Sequence, residues 1–200
     1  MGMKPLYLGI DYSLSCSALT FWNGENPFSY LSCSFYFLSN QKKYKNFSFD
    51  RVKGSVQREY DLTSLKEIHQ RYEDIKNWVY DCICKEYDWQ RPLLTFIEGY
   101  SMGSKGKVFH IAENAGILKH ALLKSFDHLE LIPPTIVKKF ATGKGNANKE
   151  KMQVAFENEF PHLTDLKKTF MMTNKQDSPL ADIIDSYYIC KYGVEHGSKI

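Results

Sequence analysis

The pattern of apolar positions along the chain alternates between short runs of strand length and longer stretches with helical period. Residues 5–10, Pro-Leu-Tyr-Leu-Gly-Ile, form a brief apolar run that ends on Asp11. That is the pattern of a central strand buried on both faces. Ser13 to Ser17 make a polar turn, and residues 16–22 and 28–38 are rich in aromatic and apolar side chains. Between the two lies Asn23-Gly24-Glu25-Asn26-Pro27, a hairpin signal, so the N-terminal third is expected to be an antiparallel meander.

From Leu65 the period changes. Leu65, Ile68, Tyr72, Ile75, Val79 and Ile83 recur every three to four positions, which predicts a helix capped by Thr63 and ending near Tyr87. Residues 93–97, Leu-Leu-Thr-Phe-Ile, repeat the opening strand pattern and are followed by Glu98. A Gly103-Ser104-Lys105-Gly106 loop leads to a helix that carries Val108, Ile111, Ala112, Ala115, Leu118 and Leu122 on one face. A strand over 129–132 stops at Pro133-Pro134, and a short helix from Thr135 stops at Gly143. Asn148 can cap the next helix, and after a polar linker at 171–178 Pro179 opens a last one that runs to about Tyr192. A meander followed by strand–helix alternation predicts an α/β fold: a central mixed five-stranded sheet, the meander plus two parallel strands, with helices on both faces. Neither a repeat nor a long linker divides the 200 residues, so one domain spanning 1–200 is expected.

Composition narrows the class. With 43% hydrophobic and 24% charged residues the chain is an ordinary globular one, which excludes disordered and fibrous classes. No apolar run reaches a membrane span, so a soluble, unexported, cytoplasmic protein without a membrane partner is expected. Five scattered cysteines fit a reducing compartment better than a disulfide framework. Cys82 and Cys84 lack a second Cys/His pair at zinc spacing and read as half-buried helix residues, and the six histidines show no ligand spacing.

The net charge is +3, and its distribution says more than its size. Gln41 to Arg58 holds six basic residues against Asp50, and Lys138 to Lys151 holds five lysines against Glu150. Each cluster reads equally as a polyanion contact or as a solvated lysine face. The stretch at about 40–60 is also aromatic (Tyr44, Phe47, Phe49) and has no clear period, which suggests a loop or irregular hairpin. It suits an added nucleic-acid contact or an aromatic hairpin packed on the sheet.

The chemistry lies in four carboxylates. Two strands end on Asp11 and Glu98, and in mixed sheets of this kind sites form beyond the carboxyl ends of central strands. Asp182 and Asp185 are three apart and share a helix face. Taken singly, each acid reads as a turn, cap or solvated position. Taken together, convergent carboxylates would repel one another unless cations compensated, and an oxygen-only ligand set selects Mg²⁺ or Mn²⁺. Two such ions suit phosphodiester hydrolysis. No small-molecule cofactor is implied.

These residues resemble the RuvC-type Holliday junction resolvases, of the ribonuclease H-like superfamily. Leu8-Gly9-Ile10-Asp11 is similar to that family's first catalytic strand and Phe96-Ile97-Glu98-Gly99-Tyr100 to its second. Pro134-Thr135-Ile136-Val137-Lys138-Lys139 and Thr142-Gly143-Lys144-Gly145-Asn146-Ala147-Asn148-Lys149 resemble its DNA-facing basic segment, and Ala181-Asp182-Ile183-Ile184-Asp185-Ser186 its final acidic helix. The likeness covers roughly 5–38 and 61–192, and leaves 40–60 as an insertion.

The resemblance implies a ribonuclease H-like fold and a homodimeric endonuclease that cuts four-way DNA junctions by paired symmetric nicks, with two Mg²⁺ (or Mn²⁺) per active site. Asp11, Glu98, Asp182 and Asp185 would be catalytic metal ligands. Lys138 and Lys149 would lie near the scissile phosphate, Tyr100 would stack at the junction centre, and Lys105, Lys107 and Lys144 would complete the DNA contacts. Tyr12-Ser13 replaces the family's Pro-Gly after the first acid. Ala112, Ala115 and Gly116 make a small-residue strip that suits either a second copy of the chain or close packing on its own sheet. Action on flaps, forks or RNA–DNA hybrids, and junction binding without cleavage, remain alternatives. An actin-like ATP-binding fold shares the Gly-Ile-Asp opening but needs a second lobe.

Overall fold

The computed structural model describes residues 4–88, 92–100, 108–160 and 179–197. Among them, β1 (Leu6–Asp11), β2 (Cys16–Trp22) and β3 (Cys33–Ser39) form the expected antiparallel meander. β4 (Ser48–Phe49) and β5 (Val52–Val56) follow, then helix α1 (Leu65–Glu86) and strand β6 (Leu93–Glu98). Helix α2 (Val108–Ser125), strand β7 (His128–Ile132) and helices α3 (Pro134–Thr142), α4 (Lys149–Glu159) and α5 (Pro179–His196) complete the order.

The sheet has seven strands in the order β4-β5-β3-β2-β1-β6-β7 rather than the five expected. Five contiguous strands, β3-β2-β1-β6-β7, are those read from the sequence, with β6 and β7 parallel to β1. The two extra strands come from the 40–60 stretch: β5 runs parallel to β3, and β4 pairs back on it through a tight turn in which Asp50 is left-handed, φ 49°. This segment escaped a strand reading because its buried positions are few. Val52 and Gly54 face inward while Lys53 and Ser55 face solvent, a short alternation interrupted by glycine. Residues 30–32, expected as strand, instead form a single 3-10 turn in which Ser32 and Ser29 cap each other.

Strand alternation builds two cores. Ala18, Phe35, Phe37 and Phe96 face α3, α4 and α5 on one side of the sheet. Leu8, Ile10, Leu19 and Phe21 face α1 and α2 on the other. Helices therefore cover both faces, as expected.

Capping chemistry accounts for three of the helix ends. Asn148 accepts the Lys151 N–H at 3.1 Å to open α4, and left-handed Gly143 closes α3. For α1 the cap is Ser64, which accepts from the Glu67 N–H, and not Thr63. The Thr63 hydroxyl is already donated to Asp61 at 2.6 Å. All five cysteines are free, and no helix of the described residues is long and apolar enough to cross a membrane.

Candidate active site

The strand register brings two acids side by side. β1 and β6 are parallel neighbours with Ile10 opposite Ile97, so the next residues, Asp11 and Glu98, stand together at the strands' carboxyl ends. The other two arrive on α5, and a close approach of backbone to backbone sets their height. A Cβ at Gly9 would lie 2.4 Å from the Ser186 carbonyl oxygen and 2.5 Å from the Cys190 nitrogen. α5 thus rests directly on β1, which only glycine permits. One turn further on, Gly193 leaves room for the Phe96 ring. A buried bond between the Thr20 and Ser186 hydroxyls, 2.8 Å, fastens the helix to β2 beside Asp185.

The four carboxyls sense one another. Burial pushes Asp11 well above the ordinary carboxylate range, and Asp182, Glu98 and Asp185 push it further, with Lys149 opposing. Asp185 is pushed up to about 7, by burial first and then by Glu98 and Asp182. Glu98 is raised by burial and by Asp182 while Lys138 opposes; Asp182 is raised by burial against the pull of Lys149. Among the described residues no three His, Cys, Asp or Glu side chains are drawn up to one point that would hold an ion as they stand. Even so, a set of partly buried oxygen donors whose negative charges disfavour one another has the chemistry that a hard divalent cation satisfies.

The basic residues divide. Lys149 Nζ stands 3.7 Å from Asp182 Oδ1, and Lys138 is near enough to lower both Glu98 and Asp185. Lys144 instead lines an open cleft between α3, α4 and α5 with Lys151, Asn158 and Tyr188. Lys105 and Lys107 lie outside the described residues. Tyr100, just past Glu98, is exposed and is held by Lys119, whose amine donates to its hydroxyl at 2.7 Å and sits 4.2 Å from its ring centroid.

Two neighbours of the site had no sequence signal. The Cys16 thiol, at the start of β2, hydrogen-bonds Asp182, which lowers that carboxyl; burial and then Asp182 push the thiol far above its ordinary value. A lone cysteine in a strand announces no such contact. Tyr12 donates to the buried Asn114 on α2 at 3.2 Å, tying the turn after Asp11 to the opposite helix layer. Only the pairing of elements distant in sequence reveals it.

A mixed sheet of this strand order, with two acids at adjacent strand ends and two on the last helix, defines a ribonuclease H-like α/β fold. Solved structures specify which variant. The chain is similar to a Thermus thermophilus RuvC structure, with TM-score 0.55, 15% identity and 96% of each chain covered. It is also similar to T. thermophilus RuvC in complex with Holliday junction substrate, with TM-score 0.50, 12% identity, and 93% of this chain and 90% of that one covered. The fold is therefore RuvC-like. No protein-family model matches the chain, and no curated protein matches it.

Proposed function

We propose that the protein is a divalent-metal-dependent endonuclease that resolves four-way DNA junctions by paired symmetric nicks. The observation that carries this reading is the convergence of Asp11, Glu98, Asp182 and Asp185 at one end of a RuvC-like sheet, each raised in pKa by burial and most of them by one another. The solved likeness with a Holliday junction substrate supports branched DNA as the substrate class.

In this reading Asp11, Glu98, Asp182 and Asp185 would hold two Mg²⁺ ions, whose chemistry would be to activate a water and to stabilise the leaving oxygen. The chain's own residues do the rest. Lys149 and Lys138 bring positive charge to the rim of an acidic site, where a phosphate must approach. Cys16 and Lys149 oppose the burial that raises Asp182, and the upward push on Asp185, from burial and from Glu98 and Asp182, is one that a bound cation would relieve. Tyr100, braced by Lys119, offers an aromatic face beside Glu98 for an unstacked base.

A two-fold dimer matches the symmetry of a junction. Of the small-residue strip on α2, Ala115 packs inward, yet a Cβ at Gly116 would meet nothing within 4 Å. The same helix exposes Phe109 by 81% and Leu123 by 60%, an apolar surface that a second copy would cover. The deciding experiment maps nicks on a mobile four-way junction with Mg²⁺, beside forked and RNA–DNA hybrid substrates. Paired symmetric cuts are expected; cutting of hybrids alone, or binding without nicks across Mg²⁺ and Mn²⁺ titrations, would overturn the reading.

A further inference from the structure

We propose that Gln57 and Arg71 are positioning residues: closing together on the main-chain carbonyl of Leu14, they fix the turn after Asp11 and thereby the Asp11 carboxylate. The proposal rests on the reading of Asp11 as a metal ligand. It gives the added 40–60 segment a task at the active site that does not involve touching DNA.

The turn joining β1 to β2 is only partly self-supporting. Ser13 and Ser17 cross-link its base: the Ser13 N–H donates to the Ser17 hydroxyl at 3.1 Å, and that hydroxyl donates back to the Ser13 carbonyl at 2.8 Å. The Ser13 hydroxyl bonds both main-chain groups of Cys16. The tip is held from outside. The Asn40 N–H reaches the Ser15 carbonyl at 3.1 Å, and the Leu14 carbonyl takes two side-chain donors, Gln57 Nε2 at 2.8 Å and Arg71 Nη2 at 2.5 Å. A carbonyl has two lone pairs, so this one is saturated.

The two donors are also joined to each other, because Arg71 Nε donates to Gln57 Oε1 at 3.0 Å. The result is a closed ring of three groups from three elements: the catalytic turn, the end of β5 and the second turn of α1. Each side chain makes two of these bonds. Gln57 uses its amide nitrogen and oxygen at once, and Arg71 spans two acceptors with its fork, which a lysine cannot do. Gln57 is itself placed by its own N–H, which donates to the Ser39 carbonyl at 2.9 Å and extends the β3–β5 ladder by one bond. The site for this amide therefore exists only because β5 was added to the sheet. Arg71 is half-buried beneath the Tyr60 ring, 5.8 Å from its centroid, which limits its freedom to leave.

Gln57→Leu keeps the volume and removes both bonds; Arg71→Lys keeps the charge and removes the fork. Three readouts are taken on the full chain: amide exchange of the 12–16 segment, Mn²⁺ affinity by calorimetry, and four-way junction affinity in Ca²⁺. Exchange in the segment is expected to quicken, Mn²⁺ affinity to weaken about tenfold and junction affinity to stay within about twofold, as for outer residues that orient metal ligands. A Gln57→Leu protein that melts earlier but binds Mn²⁺ as tightly as the wild type would show a brace for the sheet edge only, and would overturn the proposal. Should that variant not fold, Arg71→Lys carries the same test with the same two outcomes. Wild-type protein that bound no Mn²⁺ would instead sink the metal-site reading. In that case quickened exchange at 12–16 in the variants would still support the clamp, and unchanged exchange would overturn it.

Discussion

Two regions of the chain advertise themselves by charge, the four acids and the basic stretch at 40–60, and the fold treats them in opposite ways. The acids come from three elements far apart in sequence, are partly buried, and face one another with few compensating cations. In the basic stretch most charges are already engaged. Lys42 pairs with Glu59 at 2.6 Å, Arg58 with Glu67 at 2.8 Å and Asp74 at 3.2 Å, while Lys43 and Lys53 lie over the rings of Tyr44 and Tyr36. Two of its aromatics turn inward: Tyr44 and Phe47 pack on Phe37 at 5.3 and 5.5 Å between centroids, while Phe49 stays exposed. The hairpin packed on the sheet, one of the two readings open to this segment, is observed. Charge that the fold leaves uncompensated is a better guide to a ligand site than charge density along the sequence.

The largest effect that would test this contrast is at the acids. Asp11→Asn or Asp185→Asn should cut nicking by about a thousandfold or more while junction binding survives, measured by single-turnover cleavage and gel shift. Retention of full activity by Asp185→Asn would remove that residue from the ligand set. The next effect concerns stability. Asp185 has a folded-state pKa of about 7, above its unfolded value, so between about pH 4 and 7 the native state binds more protons than the unfolded one. Stability without metal should therefore fall as pH rises through that window, lowering Tm by several degrees from about pH 5.5 to 7.5. Mg²⁺ should restore it at the upper end, and Asp185→Asn should make the slope shallower, the other raised acids keeping part of it.

Smaller again is Lys149→Ala. It should weaken junction binding about three- to tenfold and reduce the logarithmic salt slope by about one, as the loss of a single phosphate contact does. At the far end of the scale, Lys42→Ala should leave junction affinity within about twofold of wild type, because an exposed ion pair is what that lysine serves. A tenfold loss there would restore the 40–60 segment as a DNA contact and break the comparison.

Much of this was legible in advance for identifiable reasons. Apolar runs ending on Asp11 and Glu98 placed two acids at strand ends, and the three-residue spacing of Asp182 and Asp185 placed the others on one helix face. What stayed hidden depended on contacts between elements distant in sequence. β5 is a strand because β3 offers it an edge, not because of its own pattern. The cap of α1 fell to Ser64 because Asp61 had already engaged Thr63. Cys16 meets Asp182, and Gln57 meets Leu14, only once the sheet has formed.

The bare contact at Gly9 has a consequence for how such a chain can diverge. With no side chain between β1 and α5 to absorb adjustment, any sliding of the helix along the strand moves Asp182 and Asp185 relative to Asp11 by a comparable amount. Tolerance to mutation and fidelity of the site are thus the same property along this seam. Drift is free to accumulate in the outer strands and helix surfaces, while lineages that keep the activity should keep position 9 as it is.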